Sequence, residues 1–120
     1  MTHDNLSEQR PWGRYTVLHN SQTQGYKVKH IQVNPLQRLS LQSHKHRSEY
    51  WTIVSGDGIV EINDTKIIVS KGSTVQIYKE DKHRIQNTSS THPLIFIEVQ
   101  MGDYLGEDDI VRYQDDYQRN

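Results

Sequence analysis

The sequence predicts an all-β domain, an antiparallel sandwich or barrel. Two observations carry that expectation. From Arg14 onward, short β-branched and aromatic runs alternate with turn residues, and no stretch sustains a helical period for three turns. In order, strands are expected at "RYTVLH" (14–19), "YKVKHIQV" (26–33), "RLSLQS" (38–43) and "EYWTIVS" (49–55). They continue at "GIVEIN" (58–63), "KIIVS" (66–70), "STVQIY" (73–78), "HRIQN" (83–87) and "PLIFIEVQ" (93–100). Asn34-Pro35, Gly56-Asp57-Gly58, Asn63-Asp64, Lys71-Gly72 and Ser89-Ser90 punctuate them as turns. "VEINDTKIIV" reads as a tight hairpin. Residues 1–9 are polar and read as a flexible arm before a single domain spanning 10–120. The tail "GEDDIVRYQDDYQRN" is acidic and aromatic, and is either a short helix or a strap across the barrel.

Composition narrows the function. A chain of 120 residues is one domain. Its apolar share of 32% is low against a norm of about 45–50% that also counts glycine. A homodimer that covers sheet edges is therefore expected. A net charge of −1 excludes a nucleic-acid or membrane-surface role, which would need a basic excess. With no cysteine, disulfides and thiolate metal sites are excluded. The N-terminus "MTHDNLSEQR" has no apolar signal core and no stretch reaches transmembrane length, so a cytoplasmic protein is expected.

The segment "LQSHKHRSEYWTIVSG" (41–56) crowds polar groups onto what otherwise reads as core strand. Residues two apart in a strand share a face, roughly 6.5–7 Å apart. His44 and His46 are therefore expected to converge on one ion, at about 2.0–2.1 Å from each nitrogen. Glu49 lies beyond a short bend at Arg47-Ser48 and could return a carboxylate, and His83 opens a strand much later in the chain. Three imidazoles and one carboxylate leave octahedral positions open, the layout of a working divalent metal; Zn, Mn, Fe, Co and Ni are all permitted. His3, His19, His30 and His92 have no comparable partner and read as surface or edge residues.

These residues carry a family resemblance. "HKHRSEYWTIVSG" and "GSTVQIYKEDKHRIQN" resemble the two motifs of the cupin superfamily. The first motif is His-x-His, three or four residues, Glu, six residues, Gly; the second runs here from Gly72 through His83 to Asn87. More narrowly, "RPWGRY" (10–15), "KVKHIQVNPLQRLSLQSHKHRSEYW" (27–51), "HRIQN" and "IEVQMGDYLGEDDIVRYQDDYQR" (97–119) resemble the isomerase domain of type II phosphomannose isomerases. Such domains are often fused behind a mannose-1-phosphate guanylyltransferase. The resemblance implies a double-stranded β-helix (cupin, or jelly-roll barrel) built of antiparallel strands. There are departures. Tyr78-Lys79-Glu80 stands where the second motif usually has Pro-x-Gly, so a more polar, more mobile loop is expected. Lys45 and Tyr50 stand where relatives often carry further histidines. No nucleotidyltransferase module is present in these residues, so guanylyl transfer is not expected of this chain.

The activity implied is the interconversion of mannose 6-phosphate and fructose 6-phosphate, a proton moving between C2 and C1 through a cis-enediolate. A divalent cation would stabilise the enediolate oxygens, and a base must reach the carbons. Alternation puts Phe96, Glu98 and Gln100 on one face, and an inward Glu98 would have the raised pKa of a buried base. A structural alternative is that Glu98 pairs with Lys27, Lys29 or an arginine. Phosphate needs cations, best met by Arg. Arg112 comes first, then Arg10, Arg84 and Lys82, with Lys29 behind them. Gln42 shares the parity of His44 and His46 and could position a sugar hydroxyl. Asp108 and Asp109 stand one helical turn before Arg112 and could clamp it. Two other classes remain: a sugar- or sugar-phosphate-binding cupin without turnover, and an iron-dependent cupin dioxygenase.

Overall fold

The computed structural model describes residues 7–119, and within them the chain forms eleven strands and no helix. They are β1 (Ser7–Arg10), β2 (Gly13–Ser21), β3 (Tyr26–Val33), β4 (Leu41–Ser43), β5 (Arg47–Ser55) and β6 (Gly58–Ile62). After them come β7 (Thr65–Val69), β8 (Thr74–Ile77), β9 (His83–Asn87), β10 (Leu94–Gly102) and β11 (Val111–Gln114). One sheet runs β1-β2-β3-β10-β5-β8 and the other β11-β4-β9-β6-β7. Every pairing is antiparallel. All nine expected strands are present, with "RLSLQS" shortened to β4 and Arg38 left in an isolated bridge to Gln86. Among the described residues no helix is long and apolar enough to cross a membrane.

Two strands were not expected. β1 pairs with β2 from Ser7↔Thr16 to Arg10↔Gly13, so Ser7–Gln9 of the expected arm lie in a sheet; residues 1–6 fall outside the described residues. β11 pairs with β4, bringing Arg112 opposite Gln42. Of the two readings of the tail, the strap is the one the chain adopts.

Burial on β3, β5 and β10 alternates almost residue by residue, as a strand with one face inward requires. Their inward residues change character along the strand. Ile31, Val33, Ile53, Leu94 and Phe96 join Val60, Val69, Ile77 and Ile85 in the apolar core. Further along the same strands Lys27, Lys29, Arg47, Glu49, Glu98 and Gln100 are equally buried. The register aligns that change, because Phe96 pairs with Ile31 and Ile53 whereas Gln100 pairs with Lys27 and Glu49. One end of the barrel interior is oil and the other is charge. The turn expected at Asn63-Asp64 closes β6 onto β7 with Asn63 at φ 52°. Gly56, at φ +93°, could not carry a side chain, since a Cβ there would lie 2.6 Å from the Pro93 carbonyl oxygen.

Candidate functional site

The charged end gathers His44, Glu49 and His83, one ligand atom from each lying within 4.8 Å of the others. All three are almost fully buried. Glu49 comes inward on β5, His83 opens β9, and His44 follows the last residue of β4. The His44 Nδ1–H donates to the Asp109 carbonyl (2.6 Å) and the His83 Nδ1–H to the Asp81 carbonyl (2.9 Å). Each ring therefore turns its Nε2 lone pair inward. Burial pushes His44 down to about 4, so it is neutral at physiological pH. Its Nε2 faces Glu49 Oε2 at 3.2 Å and His83 Nε2 faces Oε1 at 3.9 Å. Burial alone would raise the Glu49 carboxyl, but the Arg47 guanidinium beside it, foremost, holds it well below the usual range. Acceptor lone pairs facing one another in a dry site call for a cation between them, and oriented imidazoles with a carboxylate suit a divalent first-row metal.

Arg47 supplies that positive charge here. Its Nε donates to Glu49 Oε2 (2.8 Å) and its Nη2 to His44 Nε2 (3.3 Å), while Trp51 Nε1 donates to Glu49 Oε1 (3.0 Å). A bend is expected at Arg47-Ser48, but β5 already begins at Arg47. Arg47 is instead a buried member of the site, and its position two residues before Glu49, on the same strand face, was the available signal.

His46 is not part of the cluster. Its side chain is 50% exposed, with Nδ1 3.5 Å from Asp103 and the ring edge-on to Tyr104. The strand parity invoked for His44 and His46 fails because residues 44–46 are a bend between β4 and β5. The Asp109 carboxylate fixes that bend by accepting the backbone N–H groups of Lys45 and His46, both at 2.9 Å. Gly102 packs so closely behind it that a Cβ would lie 1.9 Å from the His46 carbonyl oxygen. The spacing held the answer. The motif asks for three or four residues between its second histidine and the glutamate; two separate His46 from Glu49, and four separate His44 from it. His44 is then the second ligand of the motif and Gln42 stands in the place of the first. Gln42 is the register partner of His83 and lines the same cavity. Its described hydrogen bonds, to Ser40, use Nε2 only.

Glu98 does face inward into this cavity, fully buried beside Gln100, whose Nε2 donates to it (2.7 Å). Burial, then the nearby Glu49 carboxylate, push it up to about 8, so in the metal-free site it is protonated at neutral pH. Among the described residues the ion pairs expected as its alternative are made by others: Lys29 and Lys27 reach Glu107 of the tail, at 2.7 and 3.4 Å. Arg10, Arg84 and Arg112 line the cavity, as does Lys29. Lys82 does not; it is exposed, with its ammonium 4.5 Å from the Tyr113 ring centroid. The clamp expected on Arg112 is not formed either. Asp109 is committed to the bend, Asp108 accepts from the Tyr104 hydroxyl, and the segment is extended at Arg112 rather than helical.

The expected loss of turn chemistry at Tyr78-Lys79-Glu80 is met by backbone geometry. Glu80 takes the left-handed conformation a glycine would supply, at φ 67°, and its N–H donates to the His44 carbonyl (2.8 Å).

The family model described as mannose-6-phosphate isomerase C-terminal matches residues 2–115. The chain belongs to this family. Among the curated relatives of this isomerase-family domain, the xanthan biosynthesis protein XanB of Xanthomonas campestris is 44% identical over 92% of the chain and 23% of the relative. The alginate biosynthesis protein AlgA of Pseudomonas putida is 42% identical over 98% and 24%. A mannose-1-phosphate guanylyltransferase of Escherichia coli is 40% identical over 92% and 23%. The domain thus spans about a quarter of the length of these relatives. Its fold is shared with an RmlC-like cupin from Shewanella frigidimarina (TM-score 0.75, 15% identity, 88% of each chain). The capsular polysaccharide assembling protein CapF of Staphylococcus aureus also matches (TM-score 0.78, 18% identity, 94% of this chain and 35% of that one). The expected cupin, a double-stranded β-helix of antiparallel strands, is the fold observed.

Proposed function

We propose that this domain is a metal-dependent aldose-ketose isomerase that interconverts mannose 6-phosphate and fructose 6-phosphate. The observation that supports this most is that Glu49 and His83 of the His44–Glu49–His83 cluster line one cavity with the buried Glu98. The reading is that His44, Glu49 and His83 hold one divalent ion, with the Gln42 amide oxygen as the fourth protein ligand. A divalent ion held by these residues would supply Lewis-acid stabilisation for the negative charge that develops on the sugar oxygens.

Glu98 is the group that moves the proton between C2 and C1. Burial holds the Glu98 carboxyl above the ordinary carboxylate range, which suits a group that takes and returns a carbon-bound proton, because general catalysis is most effective with a pKa near the working pH. Gln100 fixes its orientation through the 2.7 Å bond. Trp12, Tyr15, Ile31 and Trp51 wall the cavity and keep water from the enediolate. The cationic lining suits a phosphorylated sugar, whereas an apolar dioxygenase substrate would desolvate those charges without pairing them.

The test is fructose 6-phosphate formation by the purified, metal-replete protein. Turnover is expected, lost on chelation and restored by a divalent ion. Glu98→Gln should retain metal and lose about 10²–10⁴-fold in turnover, the usual worth of a positioned general base. A metal-loaded wild type that forms no product would overturn the reading.

A further inference from the structure

The strands that build the charged end of the cavity are inside out. β3, β5 and β10 carry Lys27, Lys29, Arg47, Glu49 and Glu98, and every one of these charges is buried inward. The residues between them turn to the opposite face, as strand alternation requires. On β10 these are Ile95, Ile97, Val99 and Met101. Val28 and Tyr26 of β3 pair with Val99 and Met101 on one side, and Tyr50 of β5 pairs with Val99 on the other. The remaining outward residues of the three strands, His30, Gln32, Ser48, Thr52 and Val54, add no Lys, Arg, Asp or Glu. Met101 is 48% exposed and Val54 42%. A sheet with one face to water normally turns polar residues outward. Here a chain that is 24% charged presents an apolar face without a formal charge.

The face is large enough to matter. β10 is 9 residues long, about 30 Å, and the strands β2-β3-β10-β5-β8 span roughly 19 Å at the usual strand spacing. That is roughly 600 Å² on one copy, so two copies reach the ~1,200 Å² at which specific interfaces begin. Contiguous apolar faces of this size are uncommon on monomers. Charge points to the occupant. A twofold interface sets a patch against its own copy, where like charges near the axis would repel. This face has none to repel, and no charge by which to select a different protein. Charge depletion with Tyr and Met present is also the composition of an interface core.

We propose that the outward face of β3, β10 and β5 is the interface of a homodimer, two copies packing sheet on sheet with the twofold axis near Ile97. Ile97 lies mid-way along β10, paired with His30 and Thr52. The homodimer expected from composition then covers a sheet face rather than sheet edges. It sets apolar burial directly behind Lys29, Glu49 and Glu98, so strands whose inward charges oppose folding are held from their outward side.

Sedimentation velocity of the full chain over a micromolar dilution series tests it. A dimer is expected. Ile97→Lys should weaken association about 100-fold, because it sets two like charges against each other in a desolvated contact. Ile97→Glu should do the same alone, and mixing the two variants should restore association, which misfolded chains could not do. Met101→Lys replaces a side chain already exposed on one copy, so it should fold normally and weaken association about tenfold. Ile68→Lys, on exposed β7 of the other sheet, should leave the dimer unchanged. A wild type that is monomeric throughout the series overturns the proposal. So does a dimer that survives both Ile97→Lys and Met101→Lys, or one that Ile68→Lys dissociates instead. A mixture of folded Ile97→Lys and Ile97→Glu chains that stays monomeric overturns it as well.

Discussion

The two ends of the barrel interior are built on the same strands and follow opposite rules. At one end Phe96, Ile53, Val33 and Leu94 are fully buried and need nothing but one another. At the other, Lys29, Arg47, Glu49 and Glu98 are just as buried, and every one needs a partner. Burying charge opposes folding unless it is paired, so the charged end draws its stability from the apolar end. The lesson is that strand alternation fixes which residues face inward, while the identity of those residues divides the interior into a part that folds the domain and a part that uses the fold.

Substitutions should separate the two ends. The largest effect is expected from Phe96→Ala, which should cost about 3–5 kcal/mol of unfolding free energy in urea, a transfer term plus a cavity term, while the folded fraction keeps its metal affinity. A matching loss of affinity in the folded fraction would show that the two ends are not separable.

At the charged end, Asp109→Ala keeps the carbonyl that accepts from His44 but removes the carboxylate that holds the bend carrying it. Metal binding should weaken about tenfold, the low end of the usual effect of loosening a ligand's support. His46→Ala should leave stoichiometry and affinity unchanged, because His46 faces solvent. A metal titration in which His46→Ala binds worse than Asp109→Ala would restore His46 as a ligand.

The tail should come loose in acid before the barrel does. Asp115 is pulled from its ordinary 3.8 to about 2, chiefly by hydrogen bonding to Arg119. Its folded pKa lies below the unfolded one, so its contribution is present above about pH 4 and lost as pH falls toward 2. The melting temperature should fall across that window, and Asp115→Asn should flatten the decline. An unchanged profile in Asp115→Asn would assign acid sensitivity to other groups.

Glu80→Gly should give the smallest effect, a gain of about 1 kcal/mol, by relieving a left-handed conformation that a side chain disfavours. A loss of stability would show that the Glu80 side chain contributes more than its backbone strain costs.

The nine strands β2 to β10 were legible because β-branched alternation and turn residues say the same thing twice. β1 and β11, "SEQR" and "VRYQ", were not, since these short polar edge strands carry no apolar period, unlike the edge strands β7, "TKIIV", and β8, "TVQI". His44, Glu49, His83 and Glu98 were legible from spacing and parity. His46 was misplaced because parity was carried through a bend, and what makes the bend is Asp109, more than sixty positions away. Arg47 was missed because the bend was expected at Arg47-Ser48, whereas it lies at Lys45-His46 and β5 begins at Arg47. Lys82 was misplaced because its neighbours, not its own side chain, enter the cavity.

The brace on His44 also sets an order of events in time. His44 and Asp109 are 65 positions apart, and a contact of that span forms late, after nearer strand pairs have reduced the entropy of closing the loop. Until it forms, the His44 ring is held only by Arg47, on the Nε2 that would face the ion. Metal capture is therefore expected at the end of folding, unlike a zinc finger, whose ion starts it. Refolding with a chelator present should run at the same rate as refolding with metal. A chain made where metal is scarce would then wait as a closed, empty barrel and become competent whenever an ion arrives.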